Sequence, residues 1–311
     1  QAGWWAAFLT AGMFFLALGG LAVFRWLAED IGMDQLRRRA ESAGASYGAM
    51  VSALQGRRKQ QEEPVRFVVY GDTRSNRATA SMLLSRMAED APDVVFHTGD
   101  VVRFGTPREF IRNHLELLPL LNGAPVFCVP GNHDRGFRRG FRAFKVMAGD
   151  TRFSFDFGGC RFVGFNNSGP ERVTETDLAW LDRELGREGA VRKFVFFHIP
   201  PAFFEAAFAR DSRRRGFRKR AESLHEMLKR HGVDEVFMAH IHGFATHVFD
   251  GVRYTLTAGG GAPLSKRLDA SGQTFHYLLL EADKDGIKRK IIRPLSNKKP
   301  GGEWIAELYG D

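Results

Sequence analysis

The stretch Phe67–Asn76, FVVYGDTRSN, carries an apolar run of strand type into Gly71 and the carboxylate of Asp72, then places Arg74 two residues on. The same design recurs along the chain. DVVFHT leads into Gly99-Asp100, PVFCVP into Gly131-Asn132-His133-Asp134, KFVFF into His198, and DEVFMA into His240-Ile241-His242-Gly243. Helical stretches separate these runs, which points to an α/β domain. In such sheets the loops beyond the carboxyl ends of the strands form the ligand crevice, so the five loops are expected to converge. Three of them carry a glycine just before the polar residue, which permits a tight turn and close backbone approach.

Each fragment alone is a weak signal, because a Gly-Asp pair is commonly a turn and a lone histidine is commonly a satisfied core residue. The ordered set is more telling. Asp72, Asp100, Asn132, His198, His240 and His242 make a mixed oxygen and imidazole donor set suited to borderline divalent metals. A carboxylate such as Asp100 can bridge two ions. Two ions about 3.5–4 Å apart clamp the attacking and leaving oxygens of an in-line phosphoryl displacement.

The segments GDTR, HTGDVV, VPGNHD, FFHIPP and AHIHG resemble the calcineurin-like metallophosphoesterase family over roughly Val65 to Pro294, and the GNHD with AHIHG pair is the specific part. The connecting DLAWLDREL also resembles the helix the family places there. The resemblance implies a four-layer α-β-β-α sandwich of two mixed sheets and a centre of two divalent ions, Mn, Fe or Zn. It implies Asp72 and His242 on the first metal, Asp100 as the bridge, and Asn132, His198 and His240 on the second. His133 takes the role of general acid or transition-state stabiliser, held by Asp134. Two departures stand out. The family's first motif usually reads Asp-x-His, whereas here Arg74 fills the histidine position. The tyrosine that its purple acid phosphatase branch supplies three residues after the bridging aspartate is here Arg103.

A guanidinium stays protonated and has no lone pair for a metal. Arg74 therefore has three readings: a solvated outward residue, a fork onto substrate phosphate, or the mark of a weakened first site. The fork is favoured, since guanidinium matches phosphate bidentately and adds charge stabilisation. Asn76, His97 and Asn166 are the candidates to complete the first coordination sphere.

With 311 residues and 44% hydrophobic content, the chain can bury one large core, which excludes disordered and fibrous classes. The net charge of +9 and isoelectric point near 9.8 favour anionic partners. Cys128 and Cys160 lie inside apolar runs and read as small buried hydrophobes, leaving the compartment open. Residues 1–24 carry no charge, long enough for a membrane span at about 20 residues per ~30 Å of hydrocarbon. Trp4, Trp5 and Trp26 suit the interfaces, and no small-residue cleavage site precedes Arg25. The expected organisation is an anchor over 1–26, a helical stalk or linker over 27–63, and the metallophosphoesterase domain over 64–311. A single-pass membrane protein follows, with the catalytic domain leaning to the extracytoplasmic side.

Arg210 to Arg220 holds seven basic residues and one acid, after Phe203, Phe204 and Phe208. Together they suggest an amphiphilic surface for an anionic bilayer or a lipid-linked substrate. Nucleic acid is disfavoured because no aromatic stacking platform or groove-reading motif accompanies the charge. The function expected is metal-dependent hydrolysis of phosphate mono-, di- or pyrophosphate esters. The alternative is a catalytically impaired scaffold of the same fold that binds anionic partners. Oligomeric state is left open.

Overall fold

The computed structural model describes residues 32–57, 63–136, 140–208, 216–297 and 302–310. Its helices are α1 (32–42), α2 (Tyr47–Arg57), α3 (Arg77–Glu89), α4 (Pro107–Asn113), α5 (Arg142–Ala148), α6 (Glu175–Gly186), α7 (Ala202–Phe208) and α8 (Ala221–Arg230). The strands are β1 (Val65–Tyr70), β2 (Val94–His97), β3 (Val126–Cys128), β4 (Phe153–Phe157), β5 (Cys160–Gly164), β6 (Arg192–Phe196), β7 (Glu235–Met238), β8 (Phe244–Phe249), β9 (Val252–Thr257), β10 (Tyr277–Ala282), β11 (Ile287–Pro294) and β12 (Trp304–Leu308).

They form two mixed six-stranded sheets, ordered β12-β11-β10-β1-β2-β3 and β4-β5-β6-β7-β9-β8. The parallel strands are mostly apolar on both faces, as strands covered on both sides tend to be. In β1, Phe67 and Val69 point into the space between the sheets, while Val68 and Tyr70 point to the outer helices. The period of two thus sends alternate residues into different cores. Between the sheets lies a phenylalanine-rich layer in which the ring of Phe96 stacks 4.3 Å from Phe196 and that of Phe67 meets Phe194 at 4.8 Å. Outside the first sheet, Leu36 of α1, Leu83 and Met87 of α3, Phe110 of α4 and Phe144 of α5 share one core. Outside the second, Leu181 of α6, Phe204 of α7 and Leu228 of α8 share another. The result is four layers, helix, sheet, sheet, helix.

Two expectations need correction. Among the described residues no helix is long and apolar enough to cross a membrane, which overturns the assignment as a single-pass membrane protein; the span expected over 1–26 lies outside the described residues. The apolar half of the expected amphiphilic surface also fails. Phe204 is fully buried and Phe203 and Phe208 pack against the same core, because α7 lays its apolar face on the second sheet. Of the basic run, 209–215 lies outside the described residues, while Arg220 pairs with Glu175 at 2.5 Å and Glu171 at 3.8 Å. Within the described stalk region, Met33, Leu36 and Met50 are buried against the domain, so α1 and α2 lie on it.

Candidate metal centre

The five loops meet at the carboxyl ends of the parallel strands. Backbone hydrogen bonds continue the ladders beyond the strands and set the spacing: the Asp72 amide donates to Gly99 O at 2.9 Å, that of Arg74 to Asp100 O at 2.9 Å, and that of Ala239 to His198 O at 2.8 Å. Asp72, Arg74, Asp100 and His240 all have positive φ, at 57°, 43°, 55° and 74°. Left-handed backbone at non-glycine residues costs on the order of 1–3 kcal/mol each and persists where the surroundings over-determine it. Gly131 has a different reason to be glycine, since a Cβ there would stand 2.1 Å from Asp100 Oδ1.

Six of the expected residues come together. One ligand atom each from Asp72, Asp100 and His242 falls within 4.8 Å of the others. His198 Nε2 lies 3.5 Å from Asp100 Oδ1 and 3.3 Å from Asn132 Oδ1, and the His198 and His240 rings are 5.3 Å apart.

The hydrogen bonds decide which ring atoms are free. A carbonyl can only accept, so His198 Nδ1–H donates to Thr98 O at 2.9 Å and His242 Nδ1–H donates to Pro263 O at 2.7 Å. In each ring Nε2 is then the atom turned to the cluster, and it offers a lone pair when the ring is deprotonated, as metal binding requires. His242 Nε2 stands 3.2 Å from Asp72 Oδ1, a buried oxygen with no hydrogen-bond partner among the described residues. The other oxygen, Oδ2, accepts from the His240 amide at 3.0 Å. Carboxylate oxygens, an amide oxygen and imidazole nitrogens thus converge, a donor set that a divalent cation satisfies.

Protonation follows the same geometry. Burial opposes ionisation of Asp72, yet the neighbouring His242 and His198 rings and the His240 amide outweigh it and hold its carboxyl at about 2. Burial and the Asp72 charge push Asp100 well above the usual carboxylate range. Burial lowers His198, and burial together with the His198 ring holds His240 down to about 3, favouring the neutral ring a metal needs.

Other expected residues sit differently. Arg74 turns inward: its Nη2 is 3.1 Å from His133 Nδ1, which also lies 3.1 Å from Arg103 O. The unprotonated Nδ1 accepts from Arg74, and the protonated one donates to the carbonyl. Arg103 itself is exposed and lies over the Phe104 ring at 5.1 Å. Asp134, expected to hold His133, braces two loops instead, accepting from the Val102 amide at 3.0 Å and the Gly131 amide at 2.8 Å. Its position one residue after His133 sends the carboxylate under the loop.

Two of the candidates for completing the first sphere are fully engaged elsewhere. His97 accepts from the Gly99 amide at 3.1 Å through Nδ1, so its Nε2–H is left for Thr73 Oγ1 at 3.2 Å. Asn76 caps α3 through Oδ1 and donates through Nδ2 to Gly261 O at 2.7 Å. Asn166 Oδ1 accepts from the Ser168 amide at 2.8 Å.

Three supporting residues escaped the sequence reading. Thr98 and Pro263 act through carbonyls, which carry no side-chain signal. Asn167 accepts from the His198 amide at 3.0 Å, and its place after β5, next to a strand that ends in a metal-type histidine, was the available hint.

The sequence profile of the family described as calcineurin-like phosphoesterase matches residues 65–244. The chain belongs to this family. Family members use a dinuclear divalent metal centre, and the clustered donors are the candidate ligands for one. Among curated relatives, a probable glycerophosphodiester phosphodiesterase GpdQ of Arcobacter nitrofigilis is 29% identical over 119 residues, 35% of this chain and 42% of that protein. The chain thus spans less than half the length of that relative. Purple acid phosphatase PPD1 from yellow lupin superposes with a TM-score of 0.61 at 15% identity, over 80% of this chain and 54% of the lupin chain. GAP50, the anchor in the inner membrane complex of Plasmodium, superposes with a TM-score of 0.59 at 13% identity, over 79% of this chain and 89% of its own. At these identities the two structures support the calcineurin-like phosphoesterase fold alone.

Proposed function

We propose that this calcineurin-like phosphoesterase hydrolyses phosphate esters at a centre of two divalent ions. The observation that carries the reading is the buried Asp72 Oδ1, without a hydrogen-bond partner among the described residues and faced by His242 Nε2, beside a second set of donors in Asn132, His198 and His240. Asp72 and His242 would hold one ion, Asn132, His198 and His240 the other, with Asp100 shared. The oxygen and imidazole donors suit Mn, Fe or Zn. Bound ions supply positive charge against the phosphate oxygens and acidify the attacking water. The chain's own residues do the rest. Arg74 forks onto the substrate phosphate from the side of His133, and His133, its Nδ1 engaged, presents Nε2 to the leaving oxygen.

The test is turnover of nitrophenyl phosphate and of its bis-ester by the full chain with Mn, Zn, Fe or Co. The bis-ester comes first, because the Arcobacter relative bears a phosphodiesterase name. Turnover should vanish on chelation and return with metal. A chain that binds metal yet turns over neither ester would point to the scaffold reading. Arg74→Lys keeps the charge but loses the fork, so kcat/KM should fall about tenfold with metal content unchanged. An unchanged kcat/KM would remove Arg74 from the site's chemistry.

A further inference from the structure

Arg172 lies in the loop after β5, with φ at 63°. The loop is fastened to the candidate metal centre at two points. Asn167 Oδ1 accepts from the His198 and Ile199 amides at 3.0 and 2.9 Å, and Ser168 Oγ donates to Pro130 O at 3.0 Å, one residue before Gly131. Both anchors belong to loops that carry His198 and Asn132.

The guanidinium at the end of this loop is half-buried, and its Nη1 donates only to the Ser168 and Gly169 carbonyls, at 3.5 and 3.3 Å. Among the described residues no carboxylate pairs with it. Glu171, the adjacent acid, turns away to Arg220 at 3.8 Å and Lys219 at 4.0 Å. A second cation, Arg135, which directly follows the GNHD turn, is near enough for its charge to add to the effect of burial on Arg172. Arg74 stands beside His133, while the Arg172 guanidinium is held against Ser168, whose hydroxyl reaches Pro130 at the head of the turn that carries Asn132. A partly desolvated guanidinium beside a like charge, held by two long bonds to neutral carbonyls, is a cation whose best partner comes from outside the chain.

We propose that Arg172 is a specificity-determining residue that binds a second anionic group, carboxylate or phosphate, carried by the substrate beside its scissile phosphate ester. This rests on the phosphoesterase reading above. Arg172 touches no group of the metal cluster, so the scissile phosphate itself is left to the metal ligands and Arg74.

The test uses matched probes on the metal-loaded full chain. Glycerol 3-phosphate and 3-phosphoglycerate differ by one carboxylate, and 1,3-propanediol bisphosphate carries a second phosphate in its place. Calorimetric titration should show the two doubly anionic probes binding about tenfold or more tighter than glycerol 3-phosphate. The probe with the larger gain identifies the preferred group. Arg172→Gln should erase that preference while leaving glycerol 3-phosphate affinity, metal content and the melting temperature unchanged, and Arg172→Lys should restore part of it. A wild-type chain without the preference, a Gln variant that keeps it, or an equal loss for all three probes would overturn the assignment. Nitrophenyl ester turnover is followed in parallel. Its absence from the wild type would sink the phosphoesterase reading, while the titrations still decide whether Arg172 selects a second anion.

Discussion

His198→Ala is expected to abolish binding of one metal and to lower phosphoester turnover by roughly 10²-fold or more. The ring is fully buried, and its orientation is set from outside the cluster by the Thr98 carbonyl, so Nε2 has one direction in which to offer its lone pair. Removing it leaves Asn132 Oδ1 and Asp100 Oδ1 without the imidazole between them. The Thr98 carbonyl also loses its donor, which costs about 1–3 kcal/mol of stability independent of metal. The two effects separate in a melting experiment. Metal that binds only the folded chain raises the melting temperature, and a chelator should take back that gain in the wild type. The Ala variant should melt lower with or without chelator, and the chelator-sensitive part should shrink. Metal analysis of the purified variant provides the decisive number. Two ions per chain in His198→Ala would mean that His198 is not a ligand.

The second large effect is expected at His133. Its backbone amide donates to Asp100 Oδ1 at 2.8 Å, which ties the residue to that carboxylate while its ring stands beside the cluster. His133→Asn retains that amide and a side chain that can hydrogen-bond, but removes the proton donor. Turnover should fall by about 10²–10⁴ with metal content and substrate affinity little changed. The loss should also depend on the leaving group. A nitrophenolate leaves without needing a proton, whereas an alkoxide needs one, so alkyl esters should suffer more than nitrophenyl esters. Equal losses for both would recast His133 as a charge stabiliser, and normal turnover on both would remove it from the mechanism.

The sandwich was legible because strands buried on both faces must be written as unbroken apolar runs, and the polar residues that end them can only fall at one edge of the sheet. VRFVVY, DVVFHT, PVFCVP, KFVFF and DEVFMA are mostly apolar, and the six candidate donors follow them within a few residues. Side chains of distinctive chemistry that the fold brings together, such as Asp72, His198 and His242, could therefore be picked out in advance. Phe203, Phe204 and Phe208 show where this fails. An apolar cluster next to a basic run reads equally well as a surface for lipid or as one face of a core helix, and only the packing of α7 on the second sheet chooses the core.

The sequence by itself determined the family, the order of elements and the candidate donor residues, because these depend on local periodicity and on residue chemistry. Tertiary structure alone decided the direction of each side chain. It turned Arg74 onto His133 rather than to solvent, sent Asp134 under its loop to the Val102 and Gly131 amides, and closed His97 and Asn76 in bonds of their own. It also set the Arg172 guanidinium against Ser168, in the loop that Asn167 and Ser168 tie to His198 and Pro130. The physical reason is the same in each case: a polar side chain orients toward whichever partner the folded backbone brings within hydrogen-bond reach, and that partner is supplied by a different strand end.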